Sequence, residues 1–475
     1  MGATFPEPTA AAHSGEFRKE LGLRDLLFAQ VINIVGLTWV GVAAKLGPPH
    51  LTFWLLAVLL FYLPSVSVVV YLNRLRPLEG GLYTWARLGF NDFTGFMVAW
   101  SLWLNCVVLA AEVGIQSVTI LAYAIGARGA AFMENKWLMA AASVLIIAAY
   151  ARVAAVGLGV GKWVNNAGGA LFLVIFLALI VMPFRSVATG RMAAYQPLTL
   201  ALPTVSLLSL NILAKIGFGA MAGSEYIAIF AGECRDAARS IGRAVVLAAP
   251  LIVLLFILGT SAVRALVPDD KVDLVSPISQ ALAAGTGPSD TAALLIPLVI
   301  IGMLLANISQ QNFNFTAASR LPLVAGWDHL LPKWFTRLDP KHQMPSNSIL
   351  LVGIVTIALG IASLSGAGQQ EAFQLLQNAA MTFYSFAYLV MFALPLIGFR
   401  GMTPRPPLWL RAAAVSGFVM TALFAVMSVF PIIDVPDPRA FTIKVTAVIV
   451  LFSLIGAGIF FAYRRKGPAT RSQVL

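Results

Sequence analysis

The chain alternates long apolar runs with short polar interruptions. Twelve of these runs are about 20 residues or longer, the length an α-helix needs to cross a bilayer. They lie near 24–46, 51–73, 92–125, 137–156, 162–184, 205–231, 241–265, 291–318, 347–365, 372–398, 409–430 and 440–463. The breaks between them carry the residues that end helices: GPP after the first run, VPDD after the seventh, TPRPP before the eleventh and DVPDP before the twelfth. Proline stops a helix because it has no N–H to donate and its ring collides with the preceding turn. The pattern predicts an all-α integral membrane protein with twelve transmembrane helices.

Composition agrees. Of 475 residues, 59% are hydrophobic and only 11% are charged, against about 25% charged in ordinary soluble domains. Water cannot be the solvent for so much apolar surface, so lipid is. The formal net charge of +12 would suggest nucleic acid in a soluble protein. Here the basic residues gather in alternate loops. With both termini inside, 22 of the 32 Lys and Arg fall on the cytoplasmic side, nine outside and one, Lys215, within a span. That bias sets the orientation: N- and C-termini cytoplasmic, multi-pass, in the plasma (cell inner) membrane, with no nucleic-acid partner.

The remaining polar chemistry is sparse. Two cysteines, Cys106 and Cys234, give neither a disulfide framework nor metal-ligand spacing. The four histidines (His13, His50, His329, His342) sit in the tail or near span ends, so no metal site and no histidine proton relay is expected. No H-E-x-x-H, G-x-S-x-G or P-loop pattern occurs, which argues against an enzyme. The N-terminal stretch MGATFPEPTAAAHSGEFRKE lacks the apolar core of a signal peptide and has Pro6 where a myristoylation site needs Ser or Thr. It reads as a disordered cytoplasmic tail over residues 1–23, matched by a C-tail over 464–475.

Four spans carry residues that hydrocarbon does not explain. In the first, AQVINIVGLTWVGVAA places Asn33, Gly36 and Thr38 near mid-depth. In the sixth, KIGFGAMAGSE carries Gly217, Gly219 and Gly223 beside Lys215 and Glu225. A glycine costs a helix roughly 1 kcal/mol relative to alanine, so three so close together weaken it strongly. Small residues also serve close helix packing in membranes. Broken helices, however, are tolerated at mid-membrane where they line a cavity, and their freed N–H and C=O groups attract carboxylates and cations respectively. The first and sixth spans hold matching positions in two five-span halves, 24–184 and 205–398, as an inverted repeat requires. Spans 409–463 follow them.

The eighth span crowds Asn307, Ser309, Gln310, Gln311, Asn312, Asn314, Thr316 and Ser319 into one segment. Together they suggest a face lined by water or a hard cation. The third span holds Asn105, Glu112 and Gln116. A charge at the centre of a membrane helix costs about 2.5–3.5 kcal/mol on insertion scales and so needs a protein or water partner. Glu112 and Lys215 fall at matching depth, which makes them a candidate ion pair. Alternatively Glu112 carries a proton or faces a cationic substrate.

Three stretches resemble the amino acid–polyamine–organocation superfamily: RPLEGGLYTWARLGF between spans two and three, GSEYIAIFAGECRDAARSIGRAV after the sixth-span break, and SRLPLVAGWDHLLPKWFTRLDPKHQMPSNS after span eight. The resemblance implies a LeuT-type fold, a five-plus-five inverted repeat with helices 1 and 6 broken, plus two C-terminal helices. It implies secondary active transport of an amino acid or related amine by alternating access, coupled to Na+ or H+ or run as exchange, with no other cofactor. Val35, Gly36 and Leu37, with Asn33, would meet the substrate carboxylate. Phe218, Gly219, Ala220 and Met221 would border its amino group. Glu225 matches the family's acid after the break, and Glu112, Lys215, Gln310 and Asn314 are the coupling or gating candidates. Two departures stand out. The family's Gly-Ser-Gly break is reduced to Gly36, and its usual sixth-span aromatic position holds Gly219. A polyamine carrier and a non-transporting amino-acid sensor are the alternatives; oligomeric state is not legible.

Overall fold

The computed structural model describes residues 23–75, 81–156, 158–225, 237–286, 297–307, 318, 346–365, 367–398 and 405–465. Every regular element among them is helical. In chain order they are α1 (Leu23–Ile34), α2 (Trp39–Ala44), α3 (His50–Leu75), α4 (Gly81–Gly89), α5 (Asp92–Ala124), α6 (Ala127–Glu134), α7 (Lys136–Val156) and α8 (Leu158–Ala188). There follow α9 (Leu207–Gly219), α10 (Ala237–Leu266), α11 (Pro277–Ala284), α12 (Pro297–Asn307), α13 (Ser346–Leu364), α14 (Gln369–Ile397), α15 (Leu408–Met427) and α16 (Pro438–Arg465).

Among the described residues, eight helices are long and apolar enough to cross a membrane: α3, α5, α13, α14, α15 and the apolar lengths 170–188 of α8, 242–266 of α10 and 438–462 of α16. The first and sixth runs do not form single helices. The first divides into α1 and α2, and the sixth ends as α9 at Gly219. Of the eighth run, only α12 and residue 318 lie within the described residues.

Burial ranks the helices from centre to rim. In α5 the most apolar stretch is 89% buried, whereas in α16 it is 11% buried. The centre of the molecule is therefore α5, and α14 packs along it. Asn91 caps α5, its side chain accepting from the Thr94 N–H at 2.9 Å.

Local sequence explains the irregular turns. Pro64 cannot donate to the Leu60 carbonyl one turn back, and α3 widens into a π-turn over Val58–Tyr62. The freed Leu60 carbonyl accepts from Ser416 Oγ of α15 at 2.7 Å instead. A strap between α10 and α11 closes over α2: Gly41 is pressed so tightly that a Cβ there would lie 2.6 Å from Pro277 Cβ. Asp273 organises this strap, accepting from Val275 N–H at 2.8 Å and from Tyr123 OH of α5 at 2.7 Å. Burial raises its carboxyl from its ordinary value, and those hydrogen bonds pull the other way.

Candidate functional site

Two interruptions face one cavity. α1 closes with Val35 N–H donating to Val31 O at 2.9 Å. Residues 35–38 then leave the helix, and Thr38 caps α2, its carbonyl accepting from Gly41 and Val42 at 3.0 and 3.2 Å. The second break follows from the glycines of α9. Its last turn, Lys215–Gly219, is π-helical, with Ala220 N–H reaching back five residues to Lys215 O at 3.1 Å. The chain then unwinds through residues 220–225. Gly223 has φ +119°, a conformation L side chains rarely adopt, and its N–H donates to Tyr388 OH at 2.8 Å.

The cavity between the breaks holds about 110 Å³, room for several waters at roughly 10–15 Å³ each on this measure. The first break contributes Ile34, Gly36, Leu37, Thr38 and Trp39, and the second Gly219, Ala222 and Gly223. α14 contributes Gln377, Met381 and Tyr384. α5 contributes Asn105, Leu109, Glu112, Val113 and Gln116, a spacing of four, seven, eight and eleven residues that keeps one helix face on the cavity. At 1.5 Å per residue this face runs for about 16 Å.

Its polar groups are incompletely satisfied. Glu112 is 4% exposed; Oε1 accepts a long hydrogen bond from Gln377 Nε2 at 3.4 Å, and Oε2 has no partner among the described residues. The Asn105 amide lacks a partner among the described residues at both Nδ2 and Oδ1. Gln116, by contrast, is engaged: Nε2 donates to Val275 O at 3.2 Å and Oε1 accepts from Asn307 Nδ2 of α12 at 3.0 Å. An unsatisfied buried polar group costs about 1–3 kcal/mol, more when charged. Residues of a cavity wall that keep buried polar atoms without a partner are thus suited to a bound polar molecule. The array of carboxylate oxygen and amide favours a ligand that donates hydrogen bonds, an ammonium above all.

The expected Glu112–Lys215 ion pair does not form. Lys215, 2% exposed, donates from Nζ to Asn378 Oδ1 at 2.6 Å. Asn378 in turn donates to Ser428 O at the end of α15, also at 2.6 Å. Matching depth was not enough: Gln377 and Asn378 are consecutive on α14, so they point about 100° apart, and each charge meets a different one. Lys215 is not in the cavity wall. Glu225 is buried behind it, its two carboxylate oxygens accepting from Tyr384 OH and Tyr388 OH of α14.

With this geometry in view, the comparison with known proteins is direct. A family model described as amino acid permease matches residues 21–473. The chain belongs to the amino acid permease family. The permease is 27% identical to an uncharacterized transporter of Mycobacterium tuberculosis over 80% of this chain and 79% of that one. It is 21% identical to a probable agmatine/putrescine antiporter of Lactococcus lactis (77% and 78% covered). It is 22% identical to a branched-chain amino acid permease of Bacillus subtilis (78% and 82% covered). It is thus a multi-pass membrane protein of a transporter family, a class that is not generally enzymatic.

The residues singled out in the sequence divide into three groups. Gly36, Leu37, Gly219 and Glu112 of this permease line the cavity. Val35, Phe218, Ala220 and Met221 are buried beside the breaks but not in its wall. Phe218 instead packs in an aromatic cluster, with ring centroids 5.5 Å from Phe61, 5.3 Å from Tyr388 and 4.8 Å from Phe424. The Asn33 side chain, Gln310 and Asn314 lie outside the described residues. Sequence reading missed Trp39, Gln377, Met381 and Tyr384. The amides of QLLQNAAMTFY, unusual inside an apolar run, were the available signal for α14.

Proposed function

We propose that this permease is a secondary active transporter that carries a small amino acid or related amine by alternating access, with the cavity between the two breaks as its central site. The observation that carries this reading is that two residues of the cavity wall, Glu112 and Asn105, hold buried polar atoms with no partner among the described residues, Glu112 Oε2 and the Asn105 amide. A permanent carboxylate partner would have made the site structural. A carboxylate left open suits a cargo that arrives and leaves. Glu112 binds the substrate ammonium, and the unwound residues 36–38 face its carboxylate or other acceptor group. The two interrupted helices belong to a five-plus-five inverted repeat of a twelve-helix, LeuT-type fold in the plasma membrane, with both termini cytoplasmic. Coupling runs through H+ or Na+, or the carrier exchanges substrates.

A second reading has its own support. A small organic cation without a carboxylate would also satisfy Glu112, and Lys215, which would repel it, bonds to Asn378 outside the cavity wall. The Lactococcus relative, a probable agmatine/putrescine antiporter, is of this kind. Reconstitution into proteoliposomes separates the readings: radiolabelled amino acids and amines are offered under a sodium gradient, a pH gradient, and with unlabelled substrate inside. Amino-acid uptake supports the first reading and amine-only uptake the second. Binding with no flux in any arm would make the protein a sensor and overturn both.

A further inference from the structure

Trp39 opens α2 and is 6% exposed, and its indole lies between the two breaks. The two glycines that meet it come from different breaks. A Cβ built at Gly36 would lie 2.6 Å from Trp39 Cδ1 and 2.9 Å from Nε1, at the pyrrole edge of the ring. A Cβ at Gly219 would lie 2.5 Å from Cη2, with Cζ2 and Cζ3 at 3.0 and 3.1 Å, at the benzene edge. Contacts under 3.0 Å are essentially never seen at real Cβ atoms. The ring therefore spans from one break to the other only because both flanking residues are glycine. All three residues line the cavity, and Trp39 is the largest side chain in its wall.

We propose that Trp39 is a specificity-determining residue: its indole sets the upper size of the apolar group a substrate brings into the cavity, and Gly36 and Gly219 exist to seat it. The inference rests on the cavity being the substrate site. It accounts for the glycine at position 219 without a missing wall, because the ring that closes this side is supplied from α2. A larger residue at 219 competes with the indole for one space, so the two positions should be complementary in volume rather than independent.

The test uses the full-length protein in proteoliposomes and a panel of radiolabelled glycine, alanine, valine, leucine and phenylalanine with their decarboxylated amines. Wild type favours the small members. Trp39→Ala raises the uptake ratio of large to small members at least tenfold, the order expected for a change of a few methylenes in a pocket. Trp39→Phe, a milder change that guards against misfolding, raises it about threefold by the same reasoning. Gly219→Phe alone loses transport, and adding Trp39→Ala to it restores transport with a ratio within about threefold of wild type, the signature of two sites sharing one volume. A ratio unchanged in both Trp39 variants, or a double variant no better than Gly219→Phe alone, overturns the inference while the transport reading stands. If wild type moves no member of the panel under any gradient, the transport reading falls and the inference falls with it.

Discussion

A carboxylate in hydrocarbon either keeps a partner or waits for one. Glu225 keeps two tyrosines; Glu112, a residue of the cavity wall, holds one long bond from Gln377 and leaves Oε2 without a partner among the described residues. Glu112→Gln preserves shape but removes the charge, and a lost hydrogen bond to a charged group costs about 1.5–3 kcal/mol. The expected result is a roughly 10- to 100-fold rise in KM for an amine-bearing substrate, read from initial uptake rates. The pH profile of the same variant separates two roles. A profile unchanged from wild type assigns Glu112 to the substrate alone; loss of pH dependence makes it the proton carrier. Lys215 poses the opposite problem, a buried cation on a neutral partner. Asn378→Leu strands its ammonium, with an expected loss of at least 1–3 kcal/mol in thermal stability. Lys215→Met combined with Asn378→Leu should recover much of it, since apolar replacement of both partners is often close to neutral.

At the scale of elements, legibility in the sequence was uneven, and the reasons are physical. Hydrophobic run length placed the eight described helices long enough to span a membrane within a few residues, because the bilayer fixes how long an apolar helix must be. The breaks were legible from Gly36 and Gly217–Gly219–Gly223, since glycine weakens a helix wherever it stands. Azimuth was not legible. Depth along a span gives one coordinate, and whether a side chain faces cavity or neighbour depends on rotation, which packing decides. That is why Glu112 and Lys215 looked paired, and why Phe218 entered an aromatic cluster rather than the cavity wall. Two element-level tests follow from the local chemistry. Gly223→Ala forces a side chain into φ +119° and should cost about 1–3 kcal/mol. In the strap, Asp273 has its carboxyl raised by burial, so the folded state holds this proton more tightly than the unfolded chain. Its contribution is present below the ordinary carboxylate range and is lost as pH rises through the folded value. Asp273→Asn should flatten that part of the stability–pH curve, measured by thermal unfolding across acid pH.

For the whole molecule, the frame is a buried central pair, α5 and α14, with α16 outermost toward lipid. The two interrupted helices meet that pair at one cavity, so in the proposed transport cycle rearrangement at the breaks would change which side the cavity opens to without dismantling the core. Cysteine labels placed at the two tails should both react only from the cytoplasmic side of intact cells, as the Lys and Arg bias requires. The most direct test of the central claim is uptake into proteoliposomes of the radiolabelled substrate found by the amino-acid and amine panel, wild type against Glu112→Gln, at equal protein content. The account predicts gradient-driven or exchange uptake by wild type, lost or shifted to far higher substrate concentration in the variant. Uptake by Glu112→Gln with the wild-type KM and rate would contradict it, because the open carboxylate in the cavity would then have no part in holding the cargo.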